Sequence, residues 1–410
     1  MQEVSTTIRA YRQSIIQGII VGLGAGAIFV AGFLFRGIIS APSPVTAAGQ
    51  VVESTNGFAL LDEVQSLVDS HYLREQPDAR QREYAAIRGL LGSLNDRYTF
   101  FIDPPVAQSE SDALAGTYGG IGVQIRRAED GKLVMYPFAD SPAEQVGIRD
   151  GDVIVEINGQ TVDISMSQDS IDQLLRGEVK EGNGVELTYI EAETQNLQTI
   201  FVPFGVINIP SVVWRTLDEN PSIGYVQILM FTSRTPEEIQ TALADLNNSN
   251  IRAYVLDLRN NSGGLLQEAV DVAAQFLQPG VVVYERTHTN ERSLDSDITG
   301  MASDLPLVVL VNQGTASAAE LVAGAIQDRG RGQLIGQVTY GKGSVQQIFR
   351  LSDDSSLHIT AAEWLTPARH QLDGVGLEPD IVMSPDVNGR DVELGEAIRQ
   401  LNQILQEQGS

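Results

Sequence analysis

Three short stretches carry the side chains that could do chemistry. In GTASAAELVAG, Gly314 to Gly324, a lone Ser317 stands among small residues that leave its hydroxyl uncovered, as a nucleophile requires. The same serine, followed three residues later by Glu320, also fits a capping box at a helix start, so the stretch alone leaves both roles open. In YGKGSVQQ, Tyr340 to Gln347, Lys342 sits between Gly341 and Gly343; the only other lysines are Lys132 and Lys180. Burial can make a lysine a general base by disfavouring its ammonium form, whereas arginine stays charged. A glycine-flanked lysine also describes a loop tip. Gln346, four residues on, shares the face of Lys342 at strand period and could hold the amine without adding charge, or it could be an exposed strand residue.

The third stretch, LDLRNNSGGLLQEAV, runs from an apolar strand through a polar bend into a helix. Gly263 and Gly264 let backbone N–H groups approach a substrate, and an N–H from this turn with that of Ala318 would form an oxyanion hole. A simple strand-to-helix turn reads the same way. A phosphate loop is excluded, because no Gly-Lys-Ser/Thr follows at the required spacing. His71, His288, His358 and His370 lack the spacing of a compact metal motif, so no metal and no cofactor is expected. The absence of cysteine excludes thiol catalysis and disulfides. A formal net charge of −26 over 410 residues, with no basic patch, argues against nucleic acid as a partner.

The elements that must position these groups follow from the periodicities. QSIIQGIIVGLGAGAIFVAGFLF, residues 13–35, is an uncharged run long enough to span a bilayer as a helix. Arg9 and Arg12 point its short side inward, which places the remainder outside the cytoplasm, in a bacterial periplasm or at the cell surface, or secreted if the segment is cleaved. Residues 36–56 read as a flexible linker. Residues 57–116 form a helical N-terminal region, with Phe58, Leu61, Val64, Leu67 and Val68 as an apolar stripe and Asp103, Pro104 and Pro105 as its exit. From 117 to 202 the period shortens: IGVQI alternates, Ser141 and Pro142 open a short helix, VIVEI ends in an Asn158–Gly159 turn, and IDQLLRG offers a second helix. The half from 203 to 410 alternates strand and helix, the pattern of an α/β domain with buried strands; ERSLDSDITG reads as a polar loop within it and VELGEAIRQLNQIL as a closing amphipathic helix.

In this order the motifs AIRGLLGSLNDRYTFF, DLRNNSGG, VNQGTASAAE, GKGSVQ and LTPARHQLDGVGLEPD resemble the carboxyl-terminal processing proteases, the tail-specific serine peptidases. The resemblance covers nearly everything beyond the anchor. It implies a crotonase-like or ClpP-like α/β protease core with an inserted PDZ-like domain, Ser317 as nucleophile, Lys342 as general base and Gln346 as its orienting partner. It further implies an oxyanion hole from Gly263, Gly264 and Ala318. YGGIG, comprising Tyr118, Gly119, Gly120, Ile121 and Gly122, would be the loop that takes a substrate's terminal carboxylate, and the adjoining strand would receive the peptide edge-on. Partners are then proteins or peptides with free C-termini and, through residues 13–35, a membrane; an adaptor is possible. Ser262 and Thr315 stand where the family pattern often has proline and serine, and neither removes a proposed catalytic group. The competing expectations are a noncatalytic membrane-tethered PDZ scaffold and a lyase or isomerase using coenzyme A, for which no pocket is recognisable.

Overall fold

Two apolar runs fix the centre of the molecule, because each is buried on both of its faces. Along Ala253–Asp257, Tyr254 and Leu256 enter one core while Ala253 and Val255 enter another; along Leu307–Val311, Leu307, Val309 and Val311 join the first and Val308 and Leu310 the second. A strand with a core on each side has no polar face to show, which explains runs without alternation. The computed structural model describes residues 58–128, 131–162, 166–386 and 389–408. The anchor read at 13–35 and the linker at 36–56 lie outside the described residues; among the described residues no helix is long and apolar enough to cross a membrane.

The chain divides into two units, Met1–Pro77 and Asp78–Ser410. In the first, the helix Ala59–His71 carries the expected stripe, and none of its residues is buried. The second contains a six-stranded sheet whose order is Val212–Thr216, Ile223–Ile228, Ala253–Asp257, Leu307–Val311, Gln333–Gly336 and Ile381–Val382, parallel after an antiparallel first pair. Helices Thr235–Asn248, Leu266–Phe276 and Ala318–Asp328 pack on one face. The C-terminal helix Val392–Gln408 covers the other through Leu394, Ala397, Leu401 and Leu405, spaced three and four apart. A second, antiparallel sheet adds Val282, Val283 and Trp364 to the first core; its strands Ser344–Arg350 and Ser356–Leu365 pair as a hairpin.

The segment between the helical region and the core enters and leaves through one ribbon. Thr117–Gly120 pairs antiparallel with Gly205–Asn208, and between them lies an antiparallel sheet with Val123–Arg127 at its edge and Leu197–Pro203 at the other. Its core includes Ile125, Met135, Ile157 and Leu187, closed by Ile171 of the helix Gln168–Leu174. The local signals form as expected. Ser141 accepts the Glu144 N–H at 3.2 Å ahead of Pro142, and Asn158 and Gly159 both take positive φ, 51° and 73°, between paired strands.

Two expectations are corrected. Asp103 with Pro104 does not mark an exit: Asp103 is the N-cap and Pro104 the first turn of the helix Pro104–Leu114, where a missing N–H costs nothing. The stretch read as a polar loop forms the strand Glu291–Ser296, whose backbone pairs with Gly280–Arg286 although its side chains give no apolar signal.

Candidate active site

The turn after Ala253–Asp257 is built around one buried amide. Asn261, fully inaccessible, donates from Nδ2 to the Ile228 carbonyl at 2.9 Å and accepts the Gly263 N–H on Oδ1 at 2.8 Å. Gly263 has φ +104° and its Cα rests directly on the nucleophile candidate: a Cβ there would stand 2.8 Å from Ser317 Cβ and 3.1 Å from Ala318 N. Gly264, at φ +136°, passes so close to Phe231 that a Cβ would lie 2.0 Å from its carbonyl oxygen. Only glycine fits both the conformation and the space at these two positions. The tertiary fold thus joins two stretches that the sequence keeps apart.

Ser317 is the N-cap of Ala318–Asp328 and takes φ 56°, ψ −122°. Positive φ in a residue with a Cβ costs roughly 1–3 kcal/mol and persists only where the surroundings over-determine it. Here the restraint is Glu320: the Ser317 N–H donates to its Oε2 at 2.9 Å, the glutamate half of the capping box. The capping and nucleophile roles, left open by the sequence, are compatible, since the cap is what fixes the hydroxyl's position.

Glu320 does more than cap. It is fully buried, and its carboxylate also accepts the Thr339 hydroxyl, the Gly341 N–H at 2.7 Å and the Lys342 N–H at 2.9 Å. One carboxylate therefore holds the backbone of both the serine and the lysine. Sequence reasoning gave Glu320 only its local capping partner. Each buried donor left unpaired costs about 1–3 kcal/mol. Glu320→Gln, which turns one acceptor into a donor facing N–H groups, is expected to lower kcat by about ten- to a hundredfold with a smaller change in KM, as steady-state peptide hydrolysis would show.

The side chain of Lys342 is half-buried, with Nζ 5.3 Å from the centre of the Tyr98 ring. Burial pushes its pKa below the ordinary lysine value; Glu110 opposes that shift, Arg97 adds to it and Glu320 opposes it. Among the described residues, the Ser317 hydroxyl and the Lys342 amine are not hydrogen-bonded to each other. Gln346 also departs from expectation: its amide donates to Ser344 Oγ at 2.9 Å and does not reach the lysine. The period-two argument fails because Lys342 precedes the strand Ser344–Arg350 and the register shifts between Val345 and Gln346.

Of the three groups read as an oxyanion hole, the Gly263 N–H is committed to Asn261, while those of Gly264 and Ala318 have no acceptor among the described residues. Arg259, missed by the sequence reading, fastens this turn to the C-terminal segment. Its guanidinium binds Asp257 at 2.6 Å, Asp391 at 2.7 Å and Glu393 at 3.3 Å, and Asp257 also accepts the Tyr225 hydroxyl at 2.7 Å. Burial opposes that charge, but the surrounding carboxylates outweigh it and hold the guanidinium protonated.

In the YGGIG loop, the Ile121 N–H, expected to meet a terminal carboxylate, donates to the Leu175 carbonyl at 3.2 Å, and Gly119 accepts the Gly177 N–H at 3.1 Å. Gly120 lies in the ribbon and bridges Arg176, whose guanidinium stacks on Tyr118 at 4.3 Å. The Gly122 N–H has no acceptor among the described residues, and the outer edge of Val123–Arg127 has no strand partner.

Comparisons with known proteins agree with this architecture. Residues 222–383 match peptidase family S41, and residues 134–181 match a PDZ domain. A carboxyl-terminal-processing protease of Synechocystis sp. is 34% identical over 324 residues, covering 77% of this chain and 74% of its own. A carboxy-terminal-processing protease of Bartonella bacilliformis is 33% identical over 331 residues, covering 78% and 75%. Among solved structures, a photosystem II D1 C-terminal processing protease is 31% identical, covers 82% of this chain and 90% of its own, and has a TM-score of 0.48. With a serine, a lysine and a glycine turn gathered on an α/β sheet, and relatives of this identity over most of their length, the chain belongs to peptidase family S41 and carries a PDZ domain.

Proposed function

We propose that the protein is a serine endopeptidase that cleaves protein substrates selected through their C-termini by its PDZ domain. The observation that carries this reading is the shared anchorage of Ser317 and Lys342 on the buried carboxylate of Glu320, beside the Gly263–Gly264 turn. Neutral Lys342 takes the Ser317 proton as Oγ attacks the scissile carbonyl; the oxyanion accepts the Gly264 and Ala318 N–H groups; the ammonium then protonates the leaving amine. Water, deprotonated by the same lysine, hydrolyses the ester.

The lack of a hydrogen bond between the Ser317 hydroxyl and the Lys342 amine among the described residues fits a resting enzyme whose groups close when substrate arrives. Gln346 would turn from Ser344 towards the amine in that closed form. The ribbon joining the PDZ segment to the core offers a route by which peptide binding reaches the site, since it leads through Gly205–Asn208 into the first strand of the core sheet. The division into a helical region at 57–116, a PDZ-like domain at 117–202 and a core at 203–410 belongs to this reading, as do a crotonase-like core and an adaptor. So does the membrane helix at 13–35, which would hold the catalytic part outside the cytoplasm; its uncharged length supports it.

The test is proteolysis of an unstructured polypeptide by the protein and by Ser317→Ala, with the substrate's C-terminal carboxylate free or amidated. Cleavage lost in the variant, and weakened by amidation, is the expected result. Binding of the free C-terminus without any cleavage would instead favour the scaffold.

A further inference from the structure

The surroundings of Lys342 come from four places in the chain, and two of them lie in the N-terminal region rather than in the protease core. Asp96 fastens the turn that carries Arg97 and Tyr98. It accepts the Tyr98 N–H at 2.9 Å and the Thr99 hydroxyl at 2.6 Å, and Thr99 Oγ1 in turn accepts the Thr360 N–H at 3.0 Å. The next residues, Phe100–Ile102, pair with Ser356–His358 of the strand that also pairs with Ser344–Arg350, directly after Lys342. The Tyr98 ring is thus delivered to the lysine by backbone pairing on a single sheet. That ring has two cations against it: Lys342 Nζ at 5.3 Å from the centroid and the Arg97 guanidinium carbon at 4.5 Å, with Arg97 also donating to the Tyr98 hydroxyl. A carboxylate balances them. Glu110, on the helix Pro104–Leu114, accepts from the buried ring of His358 at 2.9 Å, and that ring stacks on Phe100 at 4.5 Å.

We infer that Arg97, Tyr98 and Glu110 are positioning residues for Lys342: the ring seats the amine, Arg97 opposes a second positive charge beside it, and Glu110 favours one, so that these two charges set the pH at which the base works. The inference rests on Lys342 being the base. A ring facing one cation would stabilise the ammonium form; sharing the ring with a nearer guanidinium reduces that attraction. The remaining charge facing the amine is Glu320, which favours protonation but is saturated by its four donors. Burial, opposed by Arg97 and helped by Tyr340 and Asp373, raises the pKa of the Tyr98 phenol and keeps it neutral. Arg97 is exposed, so its influence is screened by salt, whereas that of burial is not.

The test is the pH profile of kcat/KM for an internally quenched peptide with the full chain, at low salt and at about 1 M salt. Arg97→Gln is expected to move the acid limb upward by about half to one pH unit. That is a loss of about three- to tenfold below the midpoint, with an alkaline plateau within about twofold of the parent protein. High salt should erase the shift, and Arg97→Lys should not show it. Glu110→Gln should move the limb the other way. Tyr98→Leu should lower the plateau itself, because the amine loses its seat. If the Arg97→Gln limb coincides with that of the parent at low salt, or if both charge variants move it in one direction, the inference is overturned. Lys342→Arg, run alongside, separates this from the larger reading: activity in that variant would remove the base assignment itself.

Discussion

Lys342→Arg is expected to lower kcat/KM for peptide hydrolysis by about a thousandfold or more at every accessible pH, with binding of a C-terminal peptide unchanged. The substitution keeps length and positive charge but removes the only state in which the residue can accept a proton. In the parent protein activity should rise with pH through the lysine's pKa, and burial places that limb below the ordinary lysine range. The same burial costs stability. Between the depressed folded pKa and the higher unfolded one, the unfolded chain holds the extra proton, so stability rises with pH across that window and is lower below it. Lys342→Met should therefore raise the unfolding midpoint at neutral pH while abolishing turnover. A stable, well-folded arginine variant that still cleaved peptide in preparations free of other proteases would mean that another group activates Ser317.

Gly263→Ala should be nearly as damaging, although one methyl group is all that it adds. The new Cβ would lie 2.8 Å from Ser317 Cβ and 3.0 Å from the Ala316 carbonyl oxygen, on a backbone at φ +104°. Relief requires the serine to move relative to the Ala318 N–H, and displacement of a nucleophile by about 1 Å costs on the order of a hundredfold in rate. Gly330→Ala is the control: it too has positive φ, +60°, but nothing lies within 4 Å of its Cβ position. The expected outcome is a hundredfold drop for Gly263→Ala and near-parental kinetics for Gly330→Ala, with both losing some thermal stability from backbone strain. Parental kcat/KM in Gly263→Ala would mean that the turn does not touch the reacting serine.

Local chemistry was readable where it depended on neighbours in the chain. The Asn158–Gly159 turn, the Ser141–Pro142 helix start and the stripe on Val392–Gln408 form as the residues dictate, because each is decided within a few residues. Pro104 misled for the same local reason, since proline both ends helices and begins them. Glu291–Ser296 was illegible because its strand character comes from a partner across a turn rather than from its own side chains.

By itself the sequence singled out the candidate groups for the chemistry: a serine with small neighbours, a scarce lysine between glycines, and a glycine pair after an apolar strand. Residue type and immediate spacing set nucleophilicity, titratability and backbone freedom. Only the tertiary structure decided how they are joined, through a glycine pressed on the serine, a glutamate gripping serine and lysine together, and an arginine tying the turn to the C-terminal helix. Those contacts link segments far apart in the chain, and no local pattern encodes which buried carboxylate will meet which orphaned N–H. The tertiary structure also turned Gln346 towards Ser344 and committed the Gly263 N–H to Asn261, since a one-residue register shift and a single buried amide redirect groups that periodicity alone would have aimed at the site.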